Sequence, residues 1–130
     1  MDEVRIHTGS RVRLSKLDEG TLPGEFLTQI REYAHKDEAV QAIFMFSLET
    51  EGQSAQPSMA IALKSTLFGK KDESFLGVVD EIQLLLPEDL SLNLYRFGAS
   101  DFLARYCASE LEPIYLRSVA WLDKQKKKYS

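Results

Sequence analysis

The sequence predicts an α+β fold, a ferredoxin-like split β-α-β sandwich (βαββαβ) with an antiparallel sheet and a C-terminal helical extension. Apolar and polar residues alternate in four segments, which is typical of half-buried strands, and two segments between them have helical spacing. The second and third strands are joined by a connection too short for a crossover. With right-handed crossovers this order of elements produces the sandwich.

The first half of the chain predicts a strand, a helix and a hairpin. Residues 11–17 alternate strictly, and a helix over about 25–36 carries Phe26, Leu27, Ile30, Tyr33 and Ala34 as one apolar stripe. Residues 39–49 and 58–64 form the expected antiparallel hairpin across a polar loop.

The second half predicts a helix, a strand and a helical tail. Asp72 or Ser74 is expected to cap a helix that ends at Pro87, because proline disfavours helical geometry before it. The remaining elements are a strand over 91–97, a short helix through about Cys107 and a final helix over 119–128.

Two helices are expected to cover one face of the sheet. Between these helices and the sheet, one core would form from Phe26, Ile30, Phe44, Phe46, Val78 and Ile82. The other face would be open, with an apolar patch formed by Ile43, Met45, Ala60, Ala62 and Tyr95. Contiguous exposed apolar surface marks a partner or self-association site.

An alternative for this patch stays open at the level of the sequence. The C-terminal segment, with Ile114, Tyr115, Leu116, Trp121 and Leu122, would fold back and cover it, or would swap between protomers. The candidate partner-binding residues are therefore Ile43, Met45, Tyr95, Tyr115 and Trp121.

Composition predicts one domain in a reducing, cytoplasmic environment. The chain has 130 residues, one cysteine and a formal net charge of -4. It has neither a secretory leader pattern nor an apolar stretch long enough for integral membrane association.

Charge is unevenly distributed along the chain. The last eight residues hold four of the 16 basic side chains, which leaves 12 basic against 19 acidic side chains in residues 1–122. An acidic body without a basic aromatic signature argues against nucleic-acid binding. The lysines at 124 and 126–128 are expected to form a solvated helix end, with a polyanion- or membrane-binding tail as the alternative.

Catalytic, metal and cofactor sites are not expected. His7, His35 and Cys107 are isolated in sequence and lack metal-ligand spacing, and Phe68-Gly69-Lys70-Lys71 lacks the glycines of a phosphate loop. Cys107 is expected to be a small buried helix residue. The alternative is a small enzyme or ligand-binding domain that uses Cys107 and Arg105 with Tyr106 and His35.

Five segments stand out in their order along the chain. They are Gly9-Ser10-Arg11-Val12-Arg13-Leu14, Leu22-Pro23, Val40-Gln41-Ala42-Ile43-Phe44, Leu86-Pro87-Glu88-Asp89-Leu90-Ser91-Leu92 and Leu111-Glu112-Pro113-Ile114-Tyr115-Leu116-Arg117. Together they resemble the C-terminal domain of the SseB (enhanced serine sensitivity) family over about residues 9–117. The resemblance implies a bacterial cytoplasmic protein with no established catalytic residues. Family members commonly pair this domain with an N-terminal one, for which 130 residues leave no room.

Together these observations favour a non-catalytic module that binds another protein through the open sheet face or the C-terminal segment, with a homodimer as a possible assembly. A more specific alternative is an adaptor or immunity protein that neutralises a toxin or effector. Its acidic body would steer it toward a basic partner.

Overall fold

The computed structural model describes residues 2–4, 12–18, 20–64 and 71–129. The strands are β1 (Asp2–Val4), β2 (Val12–Ser15), β3 (Val40–Thr50), β4 (Gln56–Leu63), β5 (Asn93–Arg96) and β6 (Tyr115–Leu116). The α-helices are α1 (Gly24–Lys36), α2 (Lys71–Leu85), α3 (Asp101–Glu110) and α4 (Val119–Lys128), and a 3₁₀ turn spans Phe97–Ala99. The α+β class is confirmed. None of the described helices is both long and apolar enough to cross a membrane.

The sheet has the strand order β1-β2-β3-β4-β5, and β6 pairs with β3 outside this path. Strands β1 to β4 pair antiparallel with their neighbours, whereas β4 and β5 are parallel. The expectation of a purely antiparallel sheet is therefore wrong. The parallel pair requires a crossover, which α2 supplies between β4 and β5.

The ferredoxin-like arrangement is not confirmed, because β1 to β5 lie side by side in the sheet in the same order as in the chain. In a split β-α-β sandwich, a strand from elsewhere in the chain separates the two strands that a helix connects. Here β2 and β3 flank α1 in sequence and pair directly, from Val12 opposite Thr50 to Ser15 opposite Ser47. Alternation in the sequence predicts strands but not this order.

Helices cover both faces of the sheet, so the expected open face does not exist in the described part of the chain. Because β3 and β4 are apolar on both faces, they feed two cores. The core beneath α1 and α2 contains Phe26, Ile30, Ile43, Met59, Ile61, Val78 and Ile82. The core beneath α3 and α4 contains Phe44, Phe46, Ala60, Ala62, Leu103, Cys107 and Leu122.

Two face assignments made from the sequence are corrected by these cores. Phe44 and Phe46 lie on the face away from α1, with Phe44 stacked on Phe97 at 5.6 Å between ring centroids. Ile43 and Ala60 lie on opposite faces, because Ile43 is paired with Ile61 and Phe44 with Ala60. The C-terminal segment does fold back, and its helix α4 packs Leu122 against the Phe44 face.

The boundaries of α2 differ slightly from those expected. The helix begins at Lys71, so Asp72 and Ser74 lie within its first turn rather than at its cap. It ends at Leu85, two residues before Pro87, as proline chemistry predicts.

Candidate functional site

The five candidate partner-binding residues do not form one surface. Ile43 is 0% exposed in the core beneath α1 and α2, so it is closed to a partner. Met45 and Tyr115 are half-buried beside that same core. Tyr95 and Trp121 are half-buried beside the other core, where burial raises the pKa of Tyr95.

One edge of β3 is shared by two short strands. Strand β4 occupies the other edge, so β2 and β6 must both lie along this one. The β2 ladder ends at the Ser15–Ser47 pair, and the β6 ladder ends at the Ile43–Tyr115 pair. Within the described ranges neither ladder reaches Met45, and the edge of the sheet is interrupted there.

A groove of about 600 Å³ opens at this interruption. Leu17 just after β2, Met45 on β3 and Leu111 and Ile114 between α3 and β6 supply its apolar surface. The charged and polar residues that line it are Lys16, Ser109, Glu110, Glu112 and Lys126. The groove therefore combines one residue chosen from the sequence, Met45, with the C-terminal segment.

The wall of the groove before β6 is held by hydrogen bonds. The Ile114 N–H donates to the Ile43 carbonyl at 2.8 Å, and the Arg31 Nε donates to the Ile114 carbonyl at 2.8 Å. One residue past β6, the Arg117 N–H donates to the Gln41 carbonyl at 2.9 Å. These bonds attach the segment that carries Leu111 and Ile114 to α1 and to β3.

The groove offers non-covalent contacts to an apolar side chain at four residues, which lie among charged and polar ones. Its volume falls within the ordinary range of ligand sites, about 300–1,000 Å³. Methionine is flexible and polarisable, so Met45 adapts to different shapes at a binding surface. Side chains of both charges stand around the apolar residues, an arrangement that resembles the polar rim of a protein interface.

The residues of the alternative enzyme hypothesis are not brought together. Cys107 is 0% exposed in the core beneath α3 and α4, and burial raises its pKa from 9.0 to about 12. Arg105 is exposed on α3, and His35 is exposed at the end of α1 across the sheet. At neutral pH the Cys107 thiol stays protonated, so it is a poor nucleophile.

A second cavity of about 550 Å³ lies where β2 meets the β3–β4 loop. It is lined by Val12, Arg13 and residues 49–54, and the Arg13 guanidinium lies 3.7 Å from the Glu49 carboxylate. This lining contains neither histidine nor cysteine. No group of three or more potential metal ligands occurs among the described residues. His7 and the Phe68–Lys70 part of the weak phosphate-loop candidate lie outside the described residues.

Sequence reasoning missed two residues of the groove, Leu17 and Leu111. Leu17 extends the apolar alternation of β2 just beyond the last paired residue, and this extension was the available signal. Leu111 follows the last residue of α3 and gave no such signal, because its position depends on how the segment before β6 folds back.

The fold and the groove define a small α+β domain in which a mixed sheet lies between two helical layers. The sequence profile of the SseB protein C-terminal domain matches residues 6–117, well over half of the chain, so the chain belongs to this family. The match confirms the resemblance seen in the sequence. No curated protein and no solved structure shows significant similarity to the chain.

Proposed function

We propose that this SseB C-terminal domain is a non-catalytic, cytoplasmic protein-interaction module. Its groove between β2 and β6 accepts an apolar side chain of a partner protein, and the charged residues around the groove fix the partner's orientation. Binding pockets for such anchors supply most of the energy of many protein interfaces.

The observation that carries this proposal is the interruption of the β3 edge at Met45. At this point Leu17, Met45 and Ile114, which pack against one core, lie beside Leu111, which packs against the other. The groove is therefore lined by residues that pack against both cores of the domain. Burying a leucine-sized anchor contributes about 1.5–3 kcal/mol.

The non-catalytic part of the proposal is supported by the placement of the single thiol. Cys107 is enclosed by the core beneath α3 and α4, and Arg105 on the same helix is exposed to solvent. A nucleophile needs both access to substrate and a neighbouring base. The burial of Cys107 closes off this access.

The experiment replaces Leu111 with a photo-crosslinking amino acid in the native host and identifies the adduct by mass spectrometry. We expect a discrete adduct, and we expect the purified partner to bind the Met45→Asp variant at least about tenfold more weakly, since a carboxylate would be buried in the anchor site. Ala55→Asp in the exposed β3–β4 loop is the control for the added carboxylate and should bind like the wild type.

Circular dichroism and urea unfolding would establish that Met45→Asp is folded, and Leu111→Asp provides a second test outside the sheet. A partner whose affinity is unchanged by both groove variants would contradict the proposed site. An adduct seen equally with the crosslinker at exposed Glu32 on α1 would contradict specific binding at the groove.

The adaptor or immunity alternative is a variant of the same function with a basic partner. It is favoured by the 19 acidic against 12 basic side chains of residues 1–122. Electrostatic steering accelerates association and weakens as salt is added. An association rate independent of ionic strength would therefore count against this variant while leaving the interaction module intact.

A further inference from the structure

The exposed large hydrophobic residues of the described chain occur on only two helices. Leu76 and Leu84 on α2 are 60% and 79% exposed, and Val119 on α4 is 67% exposed. Leucines with most of their surface in water on one side of a regular helix provide apolar surface on which a partner can pack.

The outer face of α2 carries an apolar and acidic stripe. Leu76, Asp80 and Leu84 are exposed and follow one another at a spacing of four residues, which places them along one side of the helix. Val78 and Ile82 occupy the opposite, buried side. The two leucines are separated by about 12 Å along the axis, with the Asp80 carboxylate between them.

The outer face of α4 carries a matching small and basic stripe. Ala120, Lys124 and Lys128 are exposed at the same four-residue spacing. The adjacent line carries Val119, Asp123 and Lys127, which are also exposed, so the face holds three lysines and one aspartate. Leu122 faces the core. The Lys128 ammonium lies over the Tyr129 ring, 5.3 Å from its centroid. The Lys124 stem provides apolar surface while its ammonium group can reach a carboxylate, so this face complements two leucines that flank an aspartate.

These two helices lie on opposite faces of the sheet. The buried side of α2 packs with Ile43 and Ile61, whereas that of α4 packs with Phe44 and Phe46. The outer faces of α2 and α4 in one copy therefore cannot meet each other. Both are available at the same time to neighbouring copies.

We propose that the outer face of α2 in one copy of this chain docks on the outer face of α4 in the next, with Asp80 opposite Lys124. The contact is heterologous and joins copies head to tail. Because the two surfaces lie on opposite faces of the sheet, a bound copy still presents a free surface, and association continues beyond the dimer.

Charge distinguishes this arrangement from a two-fold dimer. Two α2 helices related by a two-fold axis would bring Asp80 toward Asp80 between the leucines, and two α4 helices would bring Lys124 toward Lys124. Like charges at an interface oppose binding. The acidic stripe on one helix and the basic stripe on the other instead favour pairing between unlike surfaces.

The experiment measures the mass of the purified chain by sedimentation over a wide concentration range at low and high salt. We expect the average mass to rise beyond that of a dimer at low salt and to fall as salt screens the Asp80–Lys124 pair. Asp80→Lys and Lys124→Glu should each raise the concentration needed for association by at least about tenfold. Both positions are exposed, so both variants should fold like the wild type.

Charge reversal gives the decisive comparison. The double variant Asp80→Lys/Lys124→Glu should associate again, and so should an equimolar mixture of the two single variants. Glu51→Lys and Lys64→Glu make the same charge changes at other exposed positions and should associate like the wild type. Restoration in the double variant requires contact between copies, because the two residues are on opposite faces of one copy.

Three results would overturn the proposal. A wild-type chain that stays monomeric at every concentration would assign the α2 surface to a different protein. Association that stops at the dimer would indicate a two-fold contact. Association unaffected by Asp80→Lys, or not restored by the double reversal, would place the contact elsewhere. None of these results bears on the groove, whose test uses Met45 and Leu111.

Discussion

Arg117 closes the carboxyl end of α1, where its Nη2 donates a hydrogen bond to the Ala34 carbonyl at 2.7 Å. The same guanidinium donates to the carbonyls of Val40, His35 and Asp37. It also lies over the Tyr115 ring, 5.6 Å from the centroid. A cation at the negative end of a helix dipole, bonded to its last carbonyls, ties the segment beyond β6 to the first helix.

We predict that Arg117→Ala lowers the free energy of unfolding by about 2–3 kcal/mol, because several hydrogen bonds to a charged donor are lost together. Arg31→Ala, which removes one exposed bond to the Ile114 carbonyl, should cost less than about 1 kcal/mol. Urea unfolding at neutral pH measures both. Equal losses for the two variants would show that the Arg117 network contributes no more than one surface bond.

The alkaline stability of the protein should depend on Cys107. Burial raises the pKa of this thiol from 9.0 to about 12, so the folded chain retains a proton that the unfolded chain releases. The stabilisation is complete below pH about 9 and is lost as pH rises toward about 12, at no more than about 1.4 kcal/mol per pH unit. Burial also raises the pKa of Tyr33 and Tyr95 above 10.0, which adds a loss at still higher pH.

Cys107→Ala removes this contribution and provides the measurement. Relative to the wild type, the variant should be less stable at neutral pH, and the difference should narrow as pH rises from about 8 to about 11. Parallel stability curves for the two proteins would show that the thiol titrates in the folded chain as it does in the unfolded chain.

A third prediction tests which core contains Phe44. Phe44→Ala should cost about 3–5 kcal/mol, whereas Leu84→Ala on the exposed face of α2 should stay within about 0.5 kcal/mol. Because Phe44 stacks on Phe97, the double variant of these two should show coupling of about 0.5 kcal/mol or more. Ile30 lies on the other side of the sheet, so the stability losses of Phe44→Ala and Ile30→Ala should be close to additive in the double variant. If instead Phe44 and Ile30 are coupled while Phe44 and Phe97 are additive, Phe44 packs on the face of the sheet that α1 covers.

Most of the helices and strands were predictable because their signals are local, whereas the short strands β1 and β6 were not predicted. The spacing of Phe26, Ile30 and Ala34 predicts α1, the alternation of β3 is unambiguous, and Pro87 marks the end of α2 within two residues. Which helix covers which face of the sheet was not predictable, because β3 carries Ile43 on one face and Phe44 on the other. Both faces are apolar, so the sequence alone does not indicate which helix covers which face.

Strand order and the groove depend on contacts between distant segments. Ile43 and Tyr115 are paired although they are 72 positions apart in the chain, and nothing in the pattern of either segment specifies the other. The groove exists because β2 and β6 end on either side of Met45. Met45 could be selected as an apolar residue of β3, and Leu17 continues the alternation of β2. That these two lie together with Leu111 follows only from the pairing.

The last prediction concerns Gln41, which lies where the β3–β4 register shifts between Val40 and Ala42. Gln41 is 6% exposed, and its side-chain Nε2 has no hydrogen-bond partner among the described residues. A buried donor without a partner costs about 1–3 kcal/mol, so Gln41→Met, which keeps the volume and removes the amide, should raise stability by about 1 kcal/mol. Gln41→Ala serves as the control, because it removes the same amide and leaves a cavity, and it should be less stable than Gln41→Met. If Gln41→Met instead destabilises the protein as much as Gln41→Ala, the amide has a bound partner in solution that the described residues do not supply.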